Sequence, residues 1–174
     1  MRHKRQGFTL IELLIVVLIV VILSAMFMLA GGEAQSMAKA TKIVNGLTDI
    51  KMAVLTWYRN NTGKIDKDGK INGKAPEDFF TTAKIKKYLN AASNFAMGSS
   101  SGCYQVVLKQ NNKSKPAWYA CYYLEDSSDK NDIKNKLMDK AAAFENNLFQ
   151  GDSKSWTKYT DADQIYMPVL VFNY

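Results

Sequence analysis

Histidine, arginine, cysteine and proline are all scarce in this chain of 174 residues. His3 is the only histidine, so at most one imidazole is available as a general base or a metal ligand. After residue 6 the only arginine is Arg59, and the other basic residues are lysines that alternate with acids. Although the formal net charge is +7, this pattern is typical of a solvated lysine-rich surface and disfavours an arginine-rich nucleic-acid site.

The common signatures of catalysis are also missing. The sequence contains no phosphate loop of the form G-x-x-x-x-G-K, no G-x-S-x-G motif and no acid pair that stands out. We therefore predict that the chain is not an enzyme and needs no cofactor and no metal. Asp66-Lys67-Asp68-Gly69 is similar to part of a calcium loop, but Lys64 and Ala75 occupy places where an EF-hand needs ligands, so a polar turn is the preferred interpretation and calcium stays an open alternative.

A long apolar segment is what the chain does have. No charged side chain occurs from Leu13 to Gly32, and twenty helical residues rise about 30 Å, the thickness of a bilayer's hydrocarbon core. Because Arg2, Lys4 and Arg5 precede the segment, its start should stay in the cytoplasm and the rest of the chain should be exported. The segment is too long for a cleavable signal peptide, and no small-residue cleavage site of the A-x-A type follows it.

Glu12 does not fit an ordinary membrane anchor, because an acid in a span is costly and usually has a functional partner. A cut between Gly7 and Phe8 would remove the basic leader and give Phe8 a free ammonium group, one helical turn from Glu12. The carboxylate would also lie near the positive end of the helix dipole. Glu12 would then have a cation available, in its own chain or in a neighbour.

The stretch GFTLIELLIVV closely resembles the processing motif of type IV pilins and type II secretion pseudopilins. The resemblance implies that a prepilin peptidase cuts after Gly7 and methylates Phe8, and that Glu12 pairs with the N-terminal amine of the adjacent subunit during filament assembly. It also implies an assembly ATPase and a platform protein as partners. After loss of the leader the chain would contain no histidine.

An amphipathic pattern follows the span. Apolar residues recur every three or four positions and define one helix face: Ala40, Ile43, Leu47, Ile50, Val54 and Trp57. Asn60 to Gly63 is a stop signal. We predict one long helix from about Phe8 to Arg59, with a bend at Gly31-Gly32 as one option, whose second half packs on the chain's own sheet in preference to forming a coiled coil.

The rest of the sequence predicts a mixed head. Tyr104, Val106 and Leu108 alternate on one strand of a hairpin, and Trp118, Ala120, Tyr122 and Leu124 alternate on the other. With Asn112 as the centre of the turn, Cys103 and Cys121 fall directly opposite each other, and in an exported domain we expect them to form a disulfide. Two thiolates with no histidine nearby make a zinc site a poor alternative; a reactive thiol is the other.

Further elements complete this head. Pro76 suits the first turn of a helix that presents Phe79, Phe80, Ala83 and Leu89. A helix capped at Ser128 or Asp129 and ended by Gly151 should present Ile133, Leu137, Ala141, Phe144 and Leu148. IYMPVLVFNY closes the chain as a strand with an edge position or a bulge at Pro168.

The predicted fold class is α+β, pilin-like, with a long N-terminal helix packed against a small antiparallel sheet. Its parts are a cleaved leader (1–7), a transmembrane and assembly helix (8–32), the amphipathic half of the helix (33–60) and a globular head (61–174). We predict a single-pass inner-membrane precursor with its head outside, assembled with copies of itself and other pilins into a pilus or pseudopilus. The alternatives are a competence pilin that binds DNA, through Lys109, Lys113 and Lys115 near Trp118 and Tyr119, and an exported binding domain or enzyme that is only tethered to the membrane and never polymerises.

Overall fold

The fold was analysed in a computed structural model. It describes residues 8–89, 96–110, 115–143, 148–150 and 157–172, apart from the side chains of 28–30. The leader with Gly7, the predicted turn centre Asn112, Lys113, Phe144 and Gly151 lie outside the described residues.

One helix of 50 residues, α1 (Leu10–Arg59), runs through the first third of the chain. It confirms the predicted long helix, and it is continuous through Gly31-Gly32. Thr9 is its N-cap and Asn60 its C-cap, whose backbone N–H donates to the Trp57 and Tyr58 carbonyls. By length and composition α1 could cross a membrane, and none of its most apolar stretch is buried.

The second half of α1 is the spine of the head. The six residues of the predicted apolar face are all buried, which confirms that this face packs inside the chain: Ala40, Ile43, Leu47, Ile50, Val54 and Trp57. They join one core with the inward side chains of the sheet and with Ile133 and Leu137. The head therefore covers α1 from about Ser36 onward and leaves the apolar part before it uncovered.

A compact loop follows α1 at its C-terminal end. A single 3₁₀ turn, Thr62–Lys64, leads into the turn Asp66–Lys70, and Trp118 Nε1 holds this turn on the core by donating to the Gly69 carbonyl at 2.7 Å. Two short helices come next, α2 (Pro76–Phe79) and α3 (Thr82–Lys86), with Pro76 at the start of α2 as expected. Phe80 packs edge-on and Phe79 at a tilt against Trp57. Ala83 is exposed, contrary to its predicted apolar role.

The sheet has five antiparallel strands in the order β1-β2-β5-β3-β4. Their bounds are β1 Tyr104–Gln110, β2 Pro116–Tyr123, β3 Phe149–Gln150, β4 Thr157–Lys158 and β5 Gln164–Val171. The predicted hairpin is β1 and β2, and its alternation is right: Tyr104, Val106 and Leu108 lie opposite Tyr122, Ala120 and Trp118 and share the face that packs on α1.

Pro168 lies inside the sheet, at a bulge. The pairing of β2 with β5 shifts between Trp118 and Tyr119, which face Leu170 and Pro168. This confirms the bulge. On the other side of β5 the pairing is between Phe149 and Tyr166, two positions before Pro168, so the edge position stays a prediction.

The last helix, α4 (Lys130–Ala143), packs beside α1 and buries Ile133, Leu137 and Ala141 as predicted. Its predicted extension to Gly151 is wrong, since Phe149 and Gln150 form β3 and pair with β4 and β5. Leu148 is buried, but as the residue before this strand. Helical spacing alone could not separate a last helical turn from a strand that starts on the same apolar side chain.

Candidate processing and assembly site

The predicted site lies where α1 begins. Phe8 and Thr9 precede the helix, and the Phe8 side chain is 84% exposed. Thr9 has extended backbone angles, so its N–H and its side chain both point back over the first turn. The site is thus an open helix end with no other part of the described head against it.

Thr9 and Glu12 form a complete capping box. The Glu12 carboxylate accepts from the Thr9 N–H and from the Thr9 hydroxyl, both at 2.8 Å, and the Glu12 N–H donates to Thr9 Oγ1 at 3.3 Å. A capping box satisfies two backbone donors that the helix start would otherwise leave without a partner. In the described part of the chain, the carboxylate is therefore held by hydrogen bonds and not by a cation.

Thr9 was missed by the sequence reasoning. The signal was present, because Thr9-Leu10-Ile11-Glu12 has the spacing T-x-x-E of a capping box directly before an apolar run. Thr9 fixes where the Glu12 carboxylate stands: beside the backbone of residues 8 and 9, at the positive end of α1. A positive charge at Phe8 would be its immediate neighbour.

The apolar surface behind this site is large and uncovered. Every described side chain from Leu10 to Phe27 is exposed, and the bulky ones range from 49% for Ile22 and Leu23 to 84% for Leu10. Ser24 returns its hydroxyl to the Val20 carbonyl at 2.7 Å and so presents no free donor. Such a surface requires lipid or other apolar helices around it.

The cysteines do not lie as predicted. Cys121 faces Gln105, and the Tyr123 N–H donates to the Cys103 carbonyl at 3.2 Å, so the two cysteines are diagonal neighbours instead of opposed residues. Cys103 is half-buried, Cys121 is buried, and both are free thiols in the structure. Burial raises the pKa of the Cys121 thiol to about 12, which suppresses its reactive thiolate form.

The register differs for a physical reason. It places the Tyr104 and Tyr122 rings against each other, with centroids 4.6 Å apart, whereas a turn centred on Asn112 would set Tyr104 opposite the small Ala120. Cross-strand aromatic pairs stabilise a hairpin. The premise of the predicted disulfide, direct opposition, is therefore wrong.

The Asp66–Gly69 stretch is an ordered turn. Asp66 Oδ1 accepts from the Asp68 N–H at 3.0 Å and from the Lys70 N–H at 2.7 Å, and Gly69 has a φ of 76°. One carboxylate oxygen is thus used to hold the loop itself, as in an Asx turn. Among the described residues no group of three or more His, Cys, Asp or Glu side chains could hold a metal ion.

The two aromatic rings of the predicted lysine and aromatic cluster are not exposed. Trp118 is fully buried and Tyr119 is 5% exposed, so neither ring can stack on a base. The Lys109 amine lies 5.2 Å from the centroid of Tyr166, on the face of the sheet opposite α1.

Comparison with known proteins gives a result for the N-terminal segment alone. Residues 2–28 match the family model described as the prokaryotic N-terminal methylation motif. No curated protein and no solved structure matches the chain. The matched range contains Gly7, Phe8, Thr9 and Glu12 and ends within the uncovered apolar helix. The chain therefore carries, at its N-terminus, the signal motif of type IV pilins and pseudopilins, on a pilin-like α+β architecture.

Proposed function

We propose that this chain is a precursor that is cut after Gly7 and assembled, through α1, into a type IV pilus-like or pseudopilus filament. The observation that carries the proposal is the joint placement of the methylation motif, the Glu12 carboxylate at the helix start and a bare apolar helix behind it. The head is exported, and the protein has a structural role with no reaction of its own.

Glu12 is the residue that gives the assembly its register. Among the described residues, Thr9 satisfies the Glu12 carboxylate, through neutral donors. Cleavage after Gly7 places an ammonium on Phe8, directly beside this box. In a medium as apolar as lipid or a packed helical core, an ammonium and a carboxylate are each costly alone, and the cost falls when they pair. Copies of α1 should therefore align so that the amine of one chain meets the carboxylate of another.

Apolar packing supplies the rest of the contact. In lipid, no hydrophobic force drives apolar helices together, so their association depends on van der Waals packing and on polar contacts between helices. A polar pair at one defined level of α1 fixes the axial position of one helix against the next. We infer that prepilin peptidase, an assembly ATPase and a platform protein act on this chain, as the motif implies.

The test is a change of one side chain. Glu12→Ala and Glu12→Gln should both remain in the membrane fraction and lose assembly into filaments, at least about tenfold in sheared material, since either change leaves the amine without a charged partner. The matched control is Glu33→Ala, which removes the next acid along α1, beyond the apolar segment and exposed.

The readout is the amount of the chain in the sheared surface or periplasmic filament fraction relative to the membrane fraction. If all three variants and the unchanged chain stay in the membrane and no filament forms, the chain is a membrane-tethered domain. If Glu12→Ala assembles as well as Glu33→Ala, the role given to Glu12 is wrong.

A further inference from the structure

Two sets of charged side chains lie at opposite ends of the described head. At the C-terminal end of α1, five exposed cations surround the compact loop; this set, called the basic loop, is Arg59, Lys64, Lys67, Lys70 and Lys74. Asp66 and Asp68 are the acids that lie between Arg59 and Lys74 in the sequence. The loop is anchored at this end, because Trp118 donates to the Gly69 carbonyl and packs 6.2 Å from Tyr58.

The other end, nearer the apolar segment, is acidic. Six carboxylates belong to the three segments that meet there, and they are called the acidic corner: Glu125 and Asp126 after β2, Asp129 and Asp132 at the start of α4, and Asp161 and Asp163 before β5. A salt bridge shows where this corner lies along α1: the Lys39 amine is 2.6 Å from Asp129 Oδ2, so the corner lies near residue 39 of the helix.

The acidic corner contains fewer lysines than carboxylates. Lys130 lies 3.1 Å from Asp163 and 3.6 Å from Asp126, and Lys134 contacts Asp163 at 2.8 Å and Asp161 at 3.3 Å. Each of these amines is thus shared between two carboxylates. The carboxylates remain accessible, with side-chain exposures of 97% for Asp126 and 83% for Asp161. The corner keeps an excess of negative charge even when Lys39 and Lys42 are counted.

We propose that the basic loop of one copy docks on the acidic corner of another copy whose head stands one head length further from the membrane. This inference rests on the proposed filament. The two surfaces are complementary in charge, belong to the same chain and lie at opposite ends of the helical spine. Contacts of this kind join copies head to tail and continue from copy to copy.

The geometry makes the contact depend on assembly. From Lys39 to Arg59 the helix rises about 30 Å, so a basic loop meets an acidic corner only when one copy is raised by about that distance. Copies that wait in the membrane have their spans at one depth, and like ends then face each other and repel. Charge screening over roughly 8 Å at physiological salt confines both effects to close neighbours. Electrostatic complementarity of this type selects register and partner more than it adds affinity.

A nucleic acid is a poorer occupant of the basic loop. Of the described rings around the loop, Trp118 and Phe172 are buried and Tyr58 is half-buried, so no fully exposed ring stands there for a base to stack on. Asp66 and Asp68 interrupt the positive charge where a phosphate backbone would run.

A charge swap in the full chain tests the proposal. Lys67→Glu with Lys70→Glu reverses the basic loop, and Asp126→Lys with Asp132→Lys reverses the acidic corner. Each pair alone should lower the sheared filament yield about tenfold, because like charges then meet at the contact. All four changes together should restore the yield to within about twofold. Lys86→Glu with Lys87→Glu, exposed residues outside both surfaces, changes the net charge as the basic-loop pair does; this control should leave the yield unchanged.

Two further measurements, the chymotrypsin resistance of the head and the retention of DNA, are needed to interpret the filament yields. Chymotrypsin resistance of the head in the membrane fraction shows whether each variant is folded, and only folded variants are compared. Unchanged filaments in both reversed variants, or a combined variant that assembles no better than either, would overturn the inference. Lost DNA retention by the loop variant together with a failed swap would assign the basic loop to a nucleic acid instead. In each case Glu12→Ala still reports on the proposed filament separately.

Discussion

Gly46 is a point at which the long helix and the sheet approach closely. The Tyr104 ring crosses α1 there, and its hydroxyl donates to the Lys42 carbonyl at 3.3 Å. A Cβ on residue 46 would overlap the Tyr104 ring and hydroxyl. We expect Gly46→Ala to lower the free energy of unfolding of the head by about 1–3 kcal/mol, the usual cost of overpacking. Denaturant unfolding followed by tryptophan fluorescence measures it.

Gly31→Ala is the matched control for this change. It introduces the same methyl group in the same helix, but a Cβ at residue 31 meets no atom within 4 Å. Since alanine favours helix by up to about 1 kcal/mol over glycine, this variant should be unchanged or slightly more stable. Equal destabilisation of both variants would contradict the role given to Gly46.

The cysteines allow a second test on single residues. Diagonal positions across an antiparallel pair are typically about 7–8 Å apart, too far for the Cβ atoms of a disulfide without a change of register. We expect one thiol, Cys103, to react with a maleimide in the native chain and two to react after denaturation without reductant. Cys121 should react slowly in the native state, because it is buried and its pKa is raised to about 12.

One control variant completes the thiol measurement. Cys103→Ser should abolish the native reaction and leave one thiol after denaturation. Detection of no thiol in the denatured, unreduced chain would mean that the cysteines are bridged after all, in a register that differs from the one described.

The acidic corner makes α4 an element whose attachment depends on pH. Hydrogen bonds from Lys134 and Lys130 hold the pKa of Asp163 below its usual value, and hydrogen bonds to Asp163 and Asp161 raise the pKa of Lys134. Asp163 therefore stabilises the fold above its unfolded pKa, and this contribution is lost as pH falls through the lower folded pKa. The Lys134 contribution is present below its unfolded pKa and is lost as pH rises through its higher folded pKa. Both are complete at neutral pH.

The prediction for this element concerns acid. Lowering the pH from 7 to about 3 should reduce stability, and Asp163→Asn should remove part of that dependence. The loss at pH 7 should be no more than about 1 kcal/mol, since Asp163 is largely exposed to solvent. Denaturation midpoints at the two pH values measure it. Asp139→Asn, an exposed acid further along α4, should keep the full dependence; a parallel change in both variants would contradict the assignment.

Secondary-structure elements were predictable from the sequence where the spacing of apolar residues favours a single type of element. The apolar spacing from Ala40 to Trp57 indicated one helix face to be buried, and the structure buries all of it within the chain's own head. The hairpin register was different in kind. Pairing Tyr104 with Tyr122 or with Ala120 keeps the same residues on the same face, so alternation could not choose between them. The observed register brings the Tyr104 and Tyr122 rings into a tilted contact, which is visible only in three dimensions.

At the scale of the whole molecule, the chain is a covered head on a partly bare helix. α1 is part of the head and of the bare segment. From Ala40 onward it is the centre of the head's core, and before that it is an exposed apolar helix that begins at the Thr9–Glu12 capping box. The sequence predicted this division from hydropathy and spacing. It could not predict which charged residues meet at each end of the head. Lys39 and Asp129, for example, are ninety positions apart in the sequence and pair only in the folded chain.

The most direct test of the account is the mass and N-terminal sequence of the intact protein from a sheared filament fraction and from the membrane fraction. We predict that filaments contain chains that begin at Phe8 and carry one added methyl group on the terminal amine, and that the membrane holds these and uncut precursor. An N-terminus at Met1 in assembled material, or a protein found only in the membrane with its leader in place, would contradict the account.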